Sequence, residues 1–446
     1  MGKTIAAVAT PPGIGGLAVI RISGERSFDI LDKFFIPNRK IDFAKGGRIY
    51  YGKIIYHSKI IDSVTASIFV APYSYTGENV VEIGCHGNSL LASMIIDIIV
   101  ECGGSYAEPG EFTKRAFLNG KLDLTQAEAV ADLIHSVSVP GVETAARQLE
   151  GNFTERLSAM RQQLLDISSL LELELDFADE GLDLIPRHDI LNKIEVAEEF
   201  CKLLIDSFTA SEICRSGYYV GLAGFPNSGK STLFNKLLGR SRAIVSDIAG
   251  TTRDYLEESL YINGLRIVLV DTAGIRETND TIEIEGIKFV ESVIEKSNLV
   301  IVLNDSGLSE STSDALIQSL NEKYYGKDIL KIQNKIDISN LYSSNEICIS
   351  AKNGDGVDDL KNLIYKKAIE SISSLSDILI NSRHRQLLQD VVILLRNAKE
   401  SLNNNMENEI IAVDLRDATK ILGELTGESW NEEVLANIFS RFCIGK

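Results

Sequence analysis

Residues Gly224–Ser231 read Gly-Phe-Pro-Asn-Ser-Gly-Lys-Ser, and no other stretch limits the possible fold as severely. The octapeptide fits G-x-x-x-x-G-K-[ST], a loop that needs a strand before it and a helix after it. Its glycines let the backbone turn so that successive N–H groups converge on phosphate oxygens. Lys230 would bring a compact cation to the β- and γ-phosphates, and Ser231 a hydroxyl to Mg²⁺. The flanks agree: Tyr218–Ala223 is a short apolar, strand-like run, and Ser231–Leu238 is helix-like and closed by Gly239. Asn227, Ser228, Gly229, Lys230, Ser231 and Thr232 are therefore expected to line a nucleoside triphosphate.

Later loops name the base and complete the phosphate site. Asn334-Lys335-Ile336-Asp337 follows the apolar run Ile329–Ile332, where the Asp337 carboxylate can accept from the guanine N1 and N2 donors, a pattern adenine does not offer. Asp271-Thr272-Ala273-Gly274 follows the apolar strand Ile267–Val270, which puts Asp271 near the metal and Gly274 near the γ-phosphate. Ser350-Ala351-Lys352 comes after Ile347–Ile349 and would support the base from a further loop. Ile244–Asp254 should form the first switch, with Ser246, Asp247, Ile248, Ala249, Gly250 and Thr251 beside the nucleotide and Thr252 as second Mg²⁺ ligand. Ser259–Ile262, Asn263-Gly264 and Leu265–Val270 form a hairpin signal with a type I′ dipeptide at its turn. One antiparallel strand in an otherwise parallel sheet is the Ras-like arrangement. Four motifs in this order resemble the translation-factor-related GTPases, which implies GTP rather than ATP.

Composition bounds the remainder. A chain of 446 residues allows two to four domains, and 44% hydrophobic with 24% charged residues is ordinary for a protein with packed cores. The longest apolar run, Leu90–Val100, is broken by Asp97 and is too short to span a membrane. No secretory signal is evident, and Ala6 spoils a myristoylation pattern. The six cysteines, Cys85, Cys102, Cys201, Cys214, Cys348 and Cys443, show neither C-x-x-C nor C-x-x-H spacing, so no disulfide framework or zinc site is expected. A reducing cytoplasmic setting fits this usage. Net charge is −18, whereas a chain gripping nucleic acid alone would usually carry a basic face. The basic clusters at Lys40–Lys53 and Arg383-His384-Arg385 read as solvated surface.

The expected fold class is multidomain α/β plus α: a Ras-like P-loop GTPase domain inserted in a helical bundle and preceded by an α+β domain. Residues 1–118, rich in Gly, Ile, Val and Tyr with turn signals at Thr10–Gly16 and Tyr73–Glu78, form the α+β part. Residues 119–215 and 372–446 read as helices. Thr125-Gln-Ala-Glu128 has the pattern of a capping box, and Phe153–Phe177 carries Leu157, Leu164, Leu165, Leu171 and Leu175 at helical spacing. Residues 216–371 form the GTPase domain.

Two departures from the simplest GTPase bear on mechanism. Where many GTPases place a water-orienting glutamine, this chain has Ile275, which can neither position nor polarise water. Arg253 and Arg276 lie nearby, but surface or switch salt bridges account for them better than an arginine finger in cis does. Asn227 offers a side-chain oxygen near the β/γ-phosphates, where a monovalent cation could neutralise charge in place of a finger. Pro226-Asn227-x-Gly229-Lys-Ser with Ile248-Ala-Gly-Thr-Thr-Arg-Asp254 resembles the K⁺-dependent GTPases that activate by G-domain dimerisation. Ala9-Thr-Pro-Pro-Gly-x-Gly-Gly16, Tyr75-Thr-Gly-Glu78, Gly110–Leu124 and the C-terminal Phe442-Cys-Ile-Gly-Lys446 narrow the likeness further. From Thr10 to Lys446 the chain resembles the tRNA-modification GTPases of the MnmE (TrmE) family.

The resemblance implies a homodimer that works with an FAD-containing, MnmG-type partner in a heterotetramer or larger complex. Together they form an aminomethyl or carboxymethylaminomethyl group at C5 of the tRNA wobble uridine, with the tRNA held largely by the partner. By match of position, Asn227, Ser246, Ile248 and Thr251 would surround K⁺, and Ser231 and Thr252 would hold Mg²⁺. Glu283, in Thr281-Ile-Glu-Ile-Glu-Gly286, would place the attacking water, with Lys230 as the other catalytic residue. Arg21, Glu82, Lys121 and Lys446 match contacts of 5-formyl-tetrahydrofolate. A carboxylate suits the amidine-like edge of a pterin, and basic groups suit the carboxylates of the folate. Cys443 and the pair Cys85-His86 read as packing residues rather than a nucleophile or metal site. A ribosome-assembly GTPase that binds RNA itself, or a folate-dependent one-carbon transferase with a regulatory GTPase attached, are the alternatives at this stage.

Overall fold

In the computed structural model the described residues are 2–177, 185–239, 257–271, 291–305, 310–338, 347–373, 377–440 and 442–446. They pack as two compact units: Met1–Ala131, Arg147–Glu198 and Asp390–Lys446 form one, Asp132–Ala146 and Glu199–Gln389 the other.

The first unit opens on a seven-stranded sheet. In chain order it has β1 (Ile5–Val8), β2 (Gly15–Ser23), α1 (Ser27–Asp32), β3 (Phe35–Pro37), β4 (Arg48–Tyr56), β5 (Lys59–Phe69) and β6 (Val80–Gly87), then α2 (Ser89–Glu101), β7 (Ser105–Tyr106) and α3 (Glu111–Leu118). The strand order is β3-β4-β5-β6-β2-β1-β7, antiparallel except for the short β1–β7 pair. Ile20 and Ile22 on β2 and Val81 and Ile83 on β6 face the core, where Ile95 and Ile99 of α2 cover them. Side chains alternate along a strand with period 2. Arg21 and Glu82, which lie opposite each other in the β2–β6 register, therefore project from the other face.

Helices follow: α4 (Leu124–His135), α5 (Val139–Leu149), α6 (Asn152–Asp176), α7 (Arg187–Asp206) and α8 (Phe208–Ser216). The start of α4 differs from the expected capping box. Thr125 and Glu128 lie inside the helix, and Asp123 caps it instead: its Oδ1 accepts from the Gln126 N–H at 2.9 Å, while the Gln126 Oε1 accepts from the Asp123 N–H at 3.0 Å. The reciprocal geometry is that of a capping box shifted two residues toward the N-terminus. The buried stripe of α6 runs through Leu157, Met160, Leu164, Ile167 and Leu171, whereas Leu175 is exposed.

The second unit carries the expected nucleotide-binding sheet. Its elements are β8 (Tyr218–Gly224), α9 (Lys230–Leu238), β9 (Glu257–Ile262), β10 (Leu265–Asp271), β11 (Leu299–Asp305), α10 (Glu310–Lys323), β12 (Asp328–Asn334), β13 (Ile347–Cys348) and α11 (Val357–Ile372). The order β13-β12-β11-β8-β10-β9 is parallel but for the β9–β10 hairpin. The turn residues Asn263 and Gly264 have φ of +49° and +81°, as a type I′ turn requires. Strands buried on both faces need continuous apolar runs. β8, β10 and β11 supply them, with Val220, Leu222, Ile267, Leu269, Ile301 and Leu303 at most 1% exposed. This is the Ras-like fold read from the motifs.

Within the same unit Arg215, at the end of α8, donates from Nε and Nη2 to the two Asp132 carboxylate oxygens at 2.6 and 2.7 Å, and from Nη1 to the Ile380 carbonyl at 2.5 Å. One guanidinium thus joins three sequence-distant segments. Among the described residues three more helices follow: α12 (Ser382–Asn403), α13 (Asn408–Thr426) and α14 (Glu432–Phe439). The Arg383–Arg385 cluster is not simply solvated. His384 is 1% exposed, and Arg385 lies over the Phe208 ring at 4.7 Å. In the first unit α6 packs along α13, where Arg161 Nε donates to the Thr419 carbonyl at 3.0 Å. Among the described residues no helix is long and apolar enough to cross a membrane.

Candidate nucleotide-binding site

The phosphate loop joins β8 to α9 and turns on positive-φ residues: Gly224 at +141°, Asn227 at +64° and Gly229 at +97°. A Cβ on Gly229 would stand 2.2 Å from Asn334 Nδ2, and one on Gly224 2.5 Å from the Leu303 carbonyl, so neither position accepts a side chain. Lys230 bends back over the loop and donates to the Gly224 and Phe225 carbonyls at 3.0 Å each. Burial lowers its pKa below the ordinary lysine value, with Asp271 opposing the shift. A triphosphate would offer that ammonium better partners than two carbonyls. Ser231 Oγ donates to Asp271 Oδ2 at 3.2 Å. A hydroxyl and a carboxylate converging from two loops are hard oxygen donors of the kind Mg²⁺ takes. Asn227 and Thr232 are exposed, and Ser228 is buried behind the loop.

Asn334 ties three of the predicted loops together. Its Nδ2 donates to the Ser228 carbonyl at 2.8 Å, and its Oδ1 accepts from the Ala351 N–H at 3.0 Å, with the residue 1% exposed. The asparagine of the guanine-reading motif therefore acts as a spacer between the phosphate loop and the Ser350–Lys352 loop. Lys335 adopts φ +67° and pairs with Asp305 Oδ2 at 2.6 Å. Asp305, the last residue of β11, was missed in the sequence, although an acidic residue closing a strand beside the phosphate loop is a usable signal. Ser350 Oγ donates to Asp337 Oδ1 at 2.8 Å, which orients the carboxylate expected to read guanine. Ala351 is buried and Lys352 exposed. Ser246, Asp247, Ile248, Ala249, Gly250, Thr251, Thr252, Thr272, Ala273, Gly274 and Glu283, with Ile275, lie outside the described residues.

A second cluster sits on the N-terminal sheet. Arg21 Nε and Nη2 meet Glu82 Oε1 at 2.9 and 2.8 Å, and Nη1 approaches the Gly445 carbonyl at 3.5 Å. Lys446 shares this environment, its pKa lowered by burial and then by Arg21. Lys121 makes a different contact. Its Nζ reaches the Pro72 carbonyl at 3.3 Å, on the loop that carries Tyr75. Two aromatic rings were missed: Arg21 Cζ lies 5.2 Å from the Tyr75 centroid and 5.6 Å from that of Phe112. Cys85 is buried in the sheet and Cys443 is exposed, and no metal-ligating cluster occurs among the described residues.

Comparison with known proteins agrees with this geometry. The family model for the MnmE helical domain matches residues 124–443, and that for the GTP-binding protein TrmE N-terminus matches residues 4–121. The tRNA modification GTPase MnmE of Flavobacterium johnsoniae is 41% identical over 99% of both chains. The Christiangramia forsetii protein of that name is 39% identical over 100% of both, and the Chlorobaculum tepidum one 38% over 100% of this chain and 98% of its own. With the phosphate loop and the guanine-reading loops built around Asn334, these matches over the whole length establish that the chain belongs to the MnmE family of tRNA modification GTPases and hydrolyses GTP.

Proposed function

We propose that this chain is a K⁺-activated GTPase that works as a homodimer with an FAD-containing, MnmG-type partner in the cytoplasm. Together they build the aminomethyl or carboxymethylaminomethyl group at C5 of the tRNA wobble uridine from a tetrahydrofolate one-carbon unit. Residues 1–118 form the folate-binding and dimerisation domain, residues 119–215 with 372–446 the helical part, which adds Lys121 and Lys446 to the folate site, and residues 216–371 the GTPase.

The observation that carries the reading is the phosphate loop. Asn227 stands exposed at φ +64° on the same turn that Lys230 bridges, which leaves a side-chain oxygen beside the expected β/γ-phosphates. In hydrolysis, water attacks the γ-phosphorus and the bond to the bridging oxygen breaks, giving GDP and phosphate. Lys230 offsets negative charge that grows on the phosphates, and Ser231 with Thr252 would hold Mg²⁺. K⁺ held by Asn227, Ser246, Ile248 and Thr251 would supply the positive charge that an arginine finger gives elsewhere. Glu283 would orient the water that Ile275 leaves unplaced.

The cluster of Arg21, Glu82 and Lys446, with Lys121 close to the same loop, has the charges a folate would need: one carboxylate for the pterin edge and cations for the glutamate tail. GTP hydrolysis measured in K⁺ and in Na⁺ tests the cation. Equal rates would sink the K⁺-activated dimer. Nucleoside mass spectrometry of tRNA from cells lacking the chain tests the role, and persistence of C5-substituted wobble uridines would refute it.

A further inference from the structure

We infer that Glu78 and Arg115 are positioning residues for the folate site, acting through Tyr75 and Phe112 to hold the Arg21 guanidinium at fixed aim. The inference rests on the folate reading above. Arg21 is confined from several sides at once. Glu82 takes its Nε and Nη2, the Gly445 carbonyl approaches Nη1, and the Tyr75 and Phe112 rings flank the carbon, with Arg21 14% exposed at its side chain. A cation between two aromatic faces keeps its charge while losing freedom.

The rings are fixed by a second layer of bonds. Arg115 donates from Nη1 to both Glu78 oxygens at 3.1 Å, and from Nη2 to Glu111 and the Lys3 carbonyl at 2.8 Å each. Glu78 Oε2 also accepts from Ser23 Oγ at 2.6 Å. The Ser23 proton is thereby committed, so the 2.7 Å contact between Ser23 Oγ and Thr76 Oγ1 has Thr76 as donor. Thr76 Oγ1 in turn accepts from the Glu78 N–H at 3.2 Å, which closes a ring of bonds under the loop. Ser23 and Thr76 are fully buried, whereas Glu78 is about a quarter exposed, so the two hydroxyls anchor the carboxylate from its buried side. The Thr76 carbonyl accepts from Asn119 at 2.7 Å, and the Tyr75 hydroxyl meets Thr113 Oγ1 at 2.8 Å. Residues 74–78 and the helix bearing Phe112 and Arg115 are thus one clamp, and Glu78 is the anion at its centre.

The test uses the full chain with ¹⁵N-labelled arginine. The Arg21 Nε–H resonance, assigned through R21K, reports the guanidinium directly, and 5-formyl-tetrahydrofolate is titrated as the probe. GTP hydrolysis and far-UV circular dichroism check that each variant is folded. E78Q and Y75L should move the Arg21 signal toward that of free arginine and weaken folate binding, E78Q by roughly five- to thirtyfold, the size of two cation–π contacts, and Y75L by roughly two- to fivefold, the size of one. Y75F keeps the ring but loses the bond to Thr113, so it should move the Arg21 signal less than Y75L does. In an Arg21→Ala background E78Q should cost nothing further. If E78Q does not fold, R115K, which keeps the charge but loses the two-pronged bond to Glu78, is read by the same Arg21 signal. An unmoved Arg21 signal, or an equal E78Q loss in both backgrounds, overturns the inference. A wild type that does not bind the folate while the Arg21 signal still responds overturns the folate reading, and with it the site this clamp would serve.

Discussion

Asn334 gives the sharpest quantitative test. Replacing it with Asp keeps shape and keeps an oxygen for the Ala351 N–H, but it turns a donor into an acceptor against the buried Ser228 carbonyl. Losing that bond removes about 1 kcal/mol, and the stranded carbonyl costs about 1–3 kcal/mol more, so the phosphate-loop arrangement weakens by roughly 2–4 kcal/mol. Hydrogen exchange of β8 and β12 in the nucleotide-free chain reads this unit alone, and their protection should fall about 30- to 1000-fold. A pH dependence separates the mechanism from generic damage. The new carboxyl, buried beside a carbonyl, has a folded pKa raised above its unfolded value near ~3.9. Its penalty is therefore absent below the unfolded pKa, grows as pH rises toward the folded one, and is constant beyond. The gap between N334D and the wild type should be wider at about pH 7 than at about pH 5, whereas N334A, which strands both backbone groups with no titrating side chain, should show a pH-independent gap. An N334D gap that does not change with pH, or protection within about twofold of the wild type, would refute the spacer role.

Other expectations follow from single contacts. Gly229→Ala, which sets a methyl 2.2 Å from Asn334 Nδ2 at φ +97°, should abolish binding of a fluorescent GDP analogue while the first unit still melts cooperatively. Arg215→Ala leaves the Asp132 carboxylate without its twin partners and should destabilise the second unit by about 3–5 kcal/mol, seen as lost exchange protection in α8 and β10; a change under about 1 kcal/mol would contradict a clamping role. Burial depresses the Lys230 pKa, so its cost to the nucleotide-free fold is present while the lysine is charged and is relieved as pH rises through the folded pKa toward 10.5. Phosphates should restore the charged form, so calorimetry of GDP binding at about pH 9 in buffers of different ionisation heat should detect proton uptake, which K230M should abolish. Asp123→Ala removes the cap of α4 and should cost about 1–2 kcal/mol, where Thr125→Ala costs less.

The sequence determined this nucleotide fold through local rules. A glycine-bracketed loop ending in Lys230-Ser231 works between a strand and a helix, Asn263-Gly264 sets a type I′ turn, and an apolar run such as Ile267–Val270 suits a strand buried on both faces of a sheet. Its near misses were equally local. Asp123 and Thr125 are both good caps, and Gln126, three residues after Asp123, completes the box that favours Asp123, while Thr154 Oγ1 bonds its second oxygen at 2.7 Å. Leu165 and Leu175 have helical spacing with the core residues of α6, but whether such a residue meets a partner is decided by the neighbouring helix. Tertiary structure alone decided what lies between distant segments. It brought Asn334 against Ser228, closed Arg215 over Asp132 and Ile380, and set Arg21 between Tyr75, Phe112 and the chain's last residues. Periodicity and turn chemistry fix which way a side chain leaves its own element. They carry no information about which residue, from tens to hundreds of positions away, will be there to meet it.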